Sequence, residues 1–289
     1  MALRAKPPEV EASGRIKMLL YGLPGVGKTT TSIQFPKPYL IETERGTKFQ
    51  EYVDLLNANG GSRWFSTDLN EITEEVKQLL GTKHDFRTLV IDPLTNAYND
   101  DVDASARERG TDFGRHKVEP DRKARQLARL LERLDMNVIV TAHAKTKWKS
   151  VRDTSGKDTR VEDGITFDCY SKLDYIFDFV FEVERRGKDL FGIVRKTRDK
   201  RFMLGDSFVF SYKSIADRCG AAMLERESTP VVLASPEQIA EFLALIELRK
   251  DGDDLLAKML KKYIADDPTE MGAEAIGSCI DFLKKGDKK

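Results

Sequence analysis

The sequence predicts an α/β fold in which a mainly parallel sheet is flanked by helices. Short apolar runs, such as 16–21 and 88–91, alternate with segments whose apolar residues recur at helical spacing. This alternation is typical of parallel strands joined by helical crossovers. The chain has 289 residues and is 40% hydrophobic, which suffices for a sizeable core and excludes a wholly disordered protein.

The elements follow one another in a regular order up to His143. Asp68 and Glu71 have the spacing of a capping box ahead of a helical stripe. Leucines between 127 and 134 recur at helical spacing and predict a second long helix. Four strands and a further helix complete this part, at 16–21, 38–42, 88–91, 137–141 and 28–35.

The pattern changes after His143. Residues 144–168 are polar and basic without clear periodicity, so a loop is expected there. Strands return at 175–183, 191–194 and 208–212, the first two joined by a hairpin turn at ERRGKD. From Ser235 onwards the apolar residues again recur at helical spacing. We therefore predict a flexible leader at 1–15, an α/β core at 16–230 and a C-terminal helical module at 231–289.

Composition excludes several classes of protein. No apolar run approaches the ~18 residues of a membrane span, and the N-terminus lacks the pattern of a secretory signal. The three cysteines are odd in number and widely spaced, which suits a reducing cytoplasm. The 48 Lys and Arg residues balance 48 Asp and Glu, so no uniformly basic surface is expected.

The strongest motif is a phosphate-binding loop (Walker A motif) directly after the first strand. It fits G-x-x-x-x-G-K-[ST], whose glycines let backbone N–H groups point at phosphate oxygens. Its lysine reaches the β- and γ-phosphates, and its Thr hydroxyl is a ligand of Mg²⁺. ATP and Mg²⁺ are the expected ligands. The binding residues are Gly22, Pro24, Gly25, Val26, Gly27, Lys28, Thr29 and Thr30.

Two acids at strand ends complete the predicted nucleotide site. Asp92 closes the strand TLVID, where the Mg²⁺-side acid of such a site lies, so Thr29 and Asp92 are the predicted metal ligands. Pro93 follows Asp92, where many ATPases of this kind place a catalytic Glu. The base must come from elsewhere, and Glu44 lies near the end of the neighbouring strand, at the sheet edge where ligands bind. A solvated turn is the alternative for Glu44.

The order of these motifs resembles the RecA-like core ATPases over about residues 14–212. The residues that carry the resemblance are the loop 22–29, I-E-T-E at 41–44, T-L-V-I-D at 88–92 and V-I-V-T-A-H at 138–143. The chain is most similar to small phage-encoded members, the Sak-type annealing or recombinase-like proteins. The resemblance implies a RecA-like fold, ATP hydrolysis, and a bacterial host cytoplasm if a phage encodes the chain.

The resemblance also implies roles for individual residues. Glu44 matches the acid that activates the attacking water, and His143 matches a polar residue that senses the γ-phosphate, where the family often has Gln. Lys196 and Arg198 resemble a K-x-R pair that reaches the nucleotide site of a neighbouring subunit. Such a site spans two protomers, so a homo-oligomeric ring or filament is expected. A capped strand end and a solvated hairpin are the alternatives for these positions.

Two basic segments are candidate contacts for single-stranded DNA, although charge runs are more often solvated loops. Segment 145–160 has six basic residues against two acids, with Trp148 among the lysines, and such interleaving suits a strand whose bases stack on rings. The resemblance places a mobile DNA-binding loop here and another within 94–120. The candidate residues are Lys145, Lys147, Trp148, Lys149, Arg152, Arg107, Arg109 and Arg115.

These observations favour a DNA-stimulated ATPase that acts on single-stranded DNA in phage recombination or annealing. Its expected partners are single-stranded DNA, copies of itself, and a single-strand-binding or other replication or recombination protein. A ring helicase or helicase loader with the same core is one alternative. Pro93 motivates another, a nucleotide-gated adaptor with negligible turnover.

Overall fold

The computed structural model describes residues 14–152 and 158–286 of the chain. Two compact units are distinguished by their internal contacts. The first comprises the described residues within Met1–Thr67, Asp85–Asp100 and Asp135–Ser228. The second comprises those within Asp68–His84, Asp101–Leu134 and Thr229–Lys289. The predicted leader at 1–15 lies outside the described residues except for its last two, and the boundary at 230 stays a prediction.

A mixed, mainly parallel sheet forms the centre of the first unit. Among the described residues, its strand order is β3-β2-β4-β5-β1-β7-β8-β9, with β6 paired to β5 beside this path. All pairs among β1 to β5 and between β1 and β7 are parallel, whereas β6, β8 and β9 pair antiparallel. The strands are β1 Lys17–Gly22, β2 Pro38–Glu42, β3 Ser62–Phe65, β4 Thr88–Asp92, β5 Asn137–Arg152, β6 Asp158–Asp168, β7 Phe179–Arg186, β8 Asp189–Thr197 and β9 Ser207–Val209.

The central strands are buried on both faces, which explains their continuous apolar sequences. Strand β1 is buried along its whole length and lies between β5 and β7, with Leu19 opposite Val140 and Val180. Towards β9 the core becomes aromatic, and the ring centroid of Phe181 lies 5.1 Å from that of Phe202 and 5.2 Å from that of Phe208. Aromatic pairs at this separation add stabilisation beyond the area that they bury.

Short helices accompany the sheet in the first unit. Ser211 caps α6, since its hydroxyl accepts a hydrogen bond of 3.1 Å from the backbone N–H of Ser214. One apolar cluster contains strand residues together with residues of helices and turns, among them Ile33, Leu56 and Ile215. These helices are α1 Lys28–Ser32, α2 Gln50–Ala58, α6 Tyr212–Cys219 and α7 Ala221–Glu225, and α4 Leu94–Arg109 begins in this unit.

The second unit is helical where the structure describes it. Asp68 caps α3, as its position predicts, by accepting hydrogen bonds from the N–H groups of Asn70 and Glu71. Ser235 and Gln238 form a reciprocal capping box at the start of α8. Phe242 and residues of the following helices share an apolar cluster. The helices are α3 Leu69–Gly81, α5 Val118–Arg133, α8 Pro236–Glu247, α9 Gly252–Tyr263 and α10 Ala273–Gly286.

The predicted fold class, a mainly parallel sheet flanked by helices with C-terminal helices after it, is confirmed. The loop predicted at 144–168 is wrong where the structure describes this segment. Residues 144–152 extend β5 and residues 158–168 form β6, a strand pair whose polar, largely exposed side chains give no apolar alternation to detect. The second loop, expected within 94–120, is limited to the connection at 110–117, which includes a 3₁₀ turn at Asp112–Lys117. Residues 94–109 form α4, whose apolar content is low although its first turns are buried, and α5 begins at Val118.

Smaller differences concern element ends. The strand expected at 208–212 covers Ser207–Val209, and α6 already begins at Tyr212. The strand expected from 175 begins at Phe179, after a 3₁₀ turn at Leu173–Tyr175. Helix α1 ends at Ser32 rather than at 35. Among the described residues, no helix is both long and apolar enough to cross a membrane.

Candidate nucleotide site

The loop between β1 and α1 has the backbone that a phosphate cradle requires. Gly25 and Gly27 have φ angles of 75° and 92°, a left-handed region that side chains other than glycine rarely adopt. A Cβ atom on Gly22 would lie 2.2 Å from the carbonyl oxygen of Val183, so only glycine fits between β1 and β7 at this point. The motif specifies glycine at 22 and 27, and the structure requires it at both positions, at 22 for packing against β7 and at 27 for the backbone conformation.

Lys28 lies over this loop and faces two acids. Its ammonium donates hydrogen bonds of 2.9 and 3.0 Å to the carbonyl oxygens of Gly22 and Leu23. Burial lowers the pKa of Lys28, and the nearby carboxylates of Asp92 and Glu44 oppose that shift by favouring the charged form. The structure thus brings together the loop lysine and both predicted acids.

Asp92 is a buried carboxylate held by hydroxyl groups. Thr29 Oγ1 donates a hydrogen bond of 2.6 Å to Oδ2, and Thr141 Oγ1 donates to Oδ1. Burial raises the pKa of Asp92, while these two hydrogen bonds and the charge of Lys28 favour the ionised form. Thr29 and Asp92 therefore meet as the sequence predicts for a metal pair.

The donor set fits Mg²⁺ better than a metal held entirely by protein. Among the described residues, no group of three or more His, Cys, Asp and Glu side chains is arranged to hold a metal. Mg²⁺ commonly takes one or two protein ligands together with phosphate oxygens and water. The hydroxyl of Thr29 and the carboxylate of Asp92, 2.6 Å apart in their hydrogen bond, are ligands of that kind.

Glu44 lies just beyond β2, and two side chains contact one of its carboxylate oxygens. His143 Nε2 is 2.9 Å from Glu44 Oε1, and Asn96 Nδ2 donates to the same atom over 3.0 Å. The Glu44 side chain is 49% exposed, so water has access to it. The structure thus brings the predicted site residues Glu44 and His143 into direct contact, and it adds an amide from α4 that sequence reasoning missed.

A chain of polar contacts leads from this acid to strands β5 and β6. The backbone N–H of His143 donates to Thr95 Oγ1 over 2.9 Å, and Thr95 Oγ1 donates to the carbonyl of Asp168 over 2.6 Å. The carboxylate of Asp168 accepts from Asn99 and from Lys145, over 3.2 and 3.0 Å. The side chains that surround Glu44 are therefore continuous with the base of the β5–β6 strand pair.

The basic side chains of the β5–β6 strand pair are partly neutralised by acids of β6. Lys145 pairs with Asp168 at 3.0 Å, while Lys147 and Lys149 share Asp163 at 3.2 and 2.8 Å. The hydrogen bonds from Lys149 and Lys147 hold the pKa of the Asp163 carboxyl below its usual range. The charge that the sequence concentrates at 145–160 is consequently smaller in three dimensions.

The remaining features of this strand pair still suit a strand of nucleic acid. Trp148 is 59% exposed, and Arg152 is exposed at the described end of β5. Residues 153–157 of the predicted basic segment lie outside the described residues. The predicted contacts at 145–152 therefore occupy an extended strand, and the mobile loop expected there is replaced by regular β-structure.

Other predicted contacts lie elsewhere. Arg107 and Arg109 occupy the last turn of α4, and Arg115 lies in the 3₁₀ turn that follows, all within the second unit. Lys196 donates to the carbonyl oxygens of Asp174 and Phe177, and Arg198 donates to that of Tyr175. The contacts of Lys196 and Arg198 are thus made with the segment 174–178 of the same chain.

Sequence reasoning missed Thr95, Asn96 and Thr141. Thr95 and Asn96 lie on the first turn of the helix after Asp92, and Thr141 lies two residues before His143. Their positions near predicted site residues were the available signal. Their partners are 48 to 73 residues away along the chain, so the pairing itself requires the fold.

A cleft of about 620 Å³ adjoins the loop and could hold the rest of a nucleotide. It is lined by loop residues together with β6, β7 and β8, among them Gly164, Glu182 and Arg195. Arg195 is paired with Glu182 at 2.9 Å, so the charged groups on this wall are mutually compensated.

Comparison with known proteins identifies a family. Residues 14–207 match the family model AAA_24, described as an AAA domain. No curated protein sequence matches the chain significantly. Among solved structures, one titled "Crystal structure of the RadB recombinase" is similar at a TM-score of 0.43 and 16% sequence identity, over 69% of this chain and 88% of that chain.

Proposed function

The chain belongs to the AAA domain family, and we propose on this basis that it binds and hydrolyses ATP and acts on single-stranded DNA. Recombination or annealing in a phage, within the bacterial cytoplasm, is the biological setting that its resemblance to RecA-like proteins suggests. The observation that carries the ATPase assignment is the convergence of Lys28, the Thr29–Asp92 pair and Glu44 at the ends of neighbouring strands.

The surroundings of each residue support a specific role in the binding or hydrolysis of ATP. Lys28, whose ammonium lies over the loop, would bind the β- and γ-phosphates. Thr29 and Asp92 would hold Mg²⁺, which when bound offsets the negative charge of the phosphates. Glu44 is open to water and would orient the attacking water and accept its proton. Asn96 donates a hydrogen bond to the Glu44 carboxylate and His143 contacts the same oxygen, so these two side chains hold the carboxylate in position.

The DNA part of the proposal rests on the β5–β6 strand pair. Trp148 offers an exposed ring between lysines, and the polar contacts through Thr95 and Asp168 connect this strand pair with His143 and Glu44. A strand bound there would thereby be linked to the residue that activates water. Because the lysines are partly neutralised, we expect isolated protomers to bind weakly and ATP-assembled rings or filaments to bind tightly.

A trans-acting role for Lys196 and Arg198 belongs to this oligomeric proposal. In the single chain both side chains donate to carbonyl oxygens of the segment 174–178. Reaching a neighbouring nucleotide site would require them to exchange those carbonyls for phosphate oxygens. The Arg198→Ala variant should therefore hydrolyse ATP more slowly at concentrations that favour assembly, with binding of ATP to the single chain unchanged.

The assignment is tested by nucleotide binding and turnover. Lys28→Ala should lose most of its affinity for ATP, and tight binding by this variant would contradict the loop assignment. Glu44→Gln should keep ATP binding and lose ~10²–10⁴-fold in turnover, the range for loss of a general base. Glu51→Gln is the matched control, since it makes the same change at an exposed position in α2. Single-stranded DNA should stimulate the wild-type rate.

A nucleotide-gated adaptor is the second candidate, and two observations favour it. One oxygen of the Glu44 carboxylate already accepts a hydrogen bond from Asn96 and contacts His143, and Pro93 occupies the position where many related enzymes place their catalytic acid. An adaptor would bind ATP and change its assembly without turnover. Measured hydrolysis that Glu44→Gln abolishes would exclude it, whereas ATP-dependent assembly with no turnover under any condition would favour it.

A further inference from the structure

A second surface combines cations with exposed rings, beyond the ends of β2 and β3. Strands β2 and β3 are parallel, with Glu42 opposite Phe65, so the segments after both strands lie at one edge of the sheet. A cleft of about 500 Å³ opens there. It is lined by Glu42, Arg45, Lys48, Arg63, Trp64 and Phe65, which together with Phe49 we call the β2–β3 end cluster.

Cations and rings are paired within this cluster. The guanidinium carbon of Arg45 lies 4.7 Å from the ring centroid of Phe65, and Lys48 Nζ lies 5.5 Å from that of Phe49. Phe65 is 40% exposed and Phe49 is 61% exposed, unusual exposures for large apolar side chains. Rings and guanidinium planes displayed in this way are surfaces on which nucleobases stack.

Hydrogen bonds and an ion pair hold the floor of the cleft in place. Glu42 is buried, and its Oε1 accepts a 3.0 Å hydrogen bond from the backbone N–H of Thr47. Arg63 lies 3.9 Å from Glu42 Oε2 and donates to Thr47 Oγ1 over 3.2 Å. These contacts fix the turn that presents Arg45 and Lys48. With Glu42 set against Arg63, the other two cations leave the cleft with a net charge of plus two.

The cluster differs from the β5–β6 strand pair in the state of its charges. Lys145, Lys147 and Lys149 each pair with an acid of β6. Among the residues that the structure describes, neither Arg45 nor Lys48 pairs with a carboxylate. Unpaired cations can contact phosphates without first breaking an ion pair, so they contribute more to affinity for a nucleic acid.

We propose that the β2–β3 end cluster binds single-stranded nucleic acid, with bases stacked on Phe65 and Phe49 and phosphates beside Arg45 and Lys48. The inference rests on the proposed function, because it takes single-stranded DNA as the ligand. Two cation–ring pairs offer a strand two sites at which a base and a phosphate can be bound, whereas a free mononucleotide would engage only one pair, and an acidic peptide would not need the rings.

The β2–β3 end cluster lies next to Glu44, so a strand bound there would affect ATP hydrolysis. Arg45 directly follows Glu44, which is the residue before the 3₁₀ turn at Arg45–Lys48. A strand held by Arg45 and Lys48 would restrain this turn and with it the position of the proposed base. The cluster thereby supplies a route from bound DNA to Glu44 that does not pass through the β5–β6 strand pair.

The test is fluorescence anisotropy of a labelled oligodeoxythymidine strand with the full chain, over a series of salt concentrations. Arg45→Ala/Lys48→Ala should weaken binding at least about ten-fold and reduce the slope of log affinity against log salt by about 1.4, for two lost phosphate contacts. Phe65→Leu keeps an apolar side chain and removes the ring, and it should weaken binding by about five- to 150-fold.

Matched controls separate these effects from general ones. Lys250→Ala/Lys261→Ala also removes two exposed cations, from the turn before α9 and from α9, and Phe282→Leu also removes an exposed ring, from α10. Both controls should bind like the wild type. Thermal unfolding should show that all variants remain folded, as expected for changes at exposed positions.

The outcomes distinguish the inference from the proposed function. If the wild type binds the strand and the cluster variants bind equally well, the inference is wrong and the proposed function stands. If the wild type binds no strand, the DNA part of the proposed function fails and the inference with it. Equal competition by thymidine monophosphate, or preferential binding of polyglutamate through these residues, would assign the cluster to another ligand and overturn the inference.

Discussion

Asn96 offers the sharpest test of how the proposed base is positioned. Its Nδ2 atom donates to Glu44 Oε1 over 3.0 Å, beside the 2.9 Å contact from His143 Nε2. Asn96 is half-buried on the first turns of α4, so it can hold a partly exposed carboxylate in one orientation. If that orientation is the productive one, Asn96→Ala should lower kcat and leave the KM for ATP unchanged.

The size of the effect follows from the contact. A hydrogen bond to a charged group contributes about 1.5–3 kcal/mol, and partial exposure of this pair brings the expected loss to about 1 kcal/mol. That corresponds to about a five-fold fall in kcat. Asn96→Asp should cost more, because two unit charges 3.0 Å apart repel by about 1.4 kcal/mol at the dielectric constant of water and by about 5.5 kcal/mol at an effective value of ~20.

Steady-state ATPase kinetics with four single variants and a double mutant make this test decisive. Asn57→Ala, at an exposed position of α2, is the matched control and should behave like the wild type. If Asn96 acts only through Glu44, then Asn96→Ala should have no further effect in the Glu44→Gln background. A rise in kcat for Asn96→Ala would refute the reasoning, because it would mean that Asn96 restrains Glu44 in an unproductive position.

Three further predictions concern charge, protonation and capping. Asp163→Asn should free Lys147 and Lys149 from their ion pairs, so single-stranded DNA should bind more tightly. The slope of log affinity against log salt should become steeper by up to about 1.4. Unchanged anisotropy titrations would mean that DNA does not contact the β5–β6 strand pair. Burial raises the pKa of Glu270 above its ordinary value of 4.5, so folding favours its protonated form. Urea titrations give the free energy of unfolding of the wild type minus that of Glu270→Gln. This difference should fall as pH rises from 4.5, because the folded state then holds the Glu270 proton more tightly than the unfolded state. A difference that rises with pH would contradict the raised pKa of Glu270. Ser235→Ala should lower the free energy of unfolding by about 1 kcal/mol in the same titrations, and no loss would mean that this capping box contributes nothing.

The nucleotide loop and the strand ends could be predicted because their determinants are local. A glycine pattern followed by Lys28 and Thr29 specifies its own backbone, and a buried apolar run specifies where Asp92 emerges from the sheet. Parallel strands then bring Asp92 and Glu44 to one edge, and both lie near Lys28. Each step uses residues that are neighbours in sequence or adjacent in a regular sheet.

The elements that could not be predicted lack such local determinants. Helix α4 has a low apolar content, so its sequence resembles that of a loop. Strands β5 and β6 continue beyond the buried sheet with exposed side chains on both sides, and they show no alternation. The remaining site contacts join residues that are distant in sequence. Asn96 and Glu44 are 52 residues apart, and no local sequence pattern predicts that they meet.

The distribution of charge shows why a pattern along the chain gives an incomplete account of binding. Counted along the sequence, segment 145–160 is the more basic candidate, but antiparallel pairing sets the acids Asp163 and Asp168 against its lysines. Arg45 and Lys48 stand in a sequence rich in acids, yet the fold turns those acids inward, as with Glu42, or towards other partners, as with Glu44. Phosphates respond to the charge that is left unpaired in three dimensions, so we expect the shorter β2–β3 end cluster to compete with the longer basic strand for a nucleic acid. A chain with zero formal charge can therefore hold a nucleic acid wherever its own acids leave a cation free.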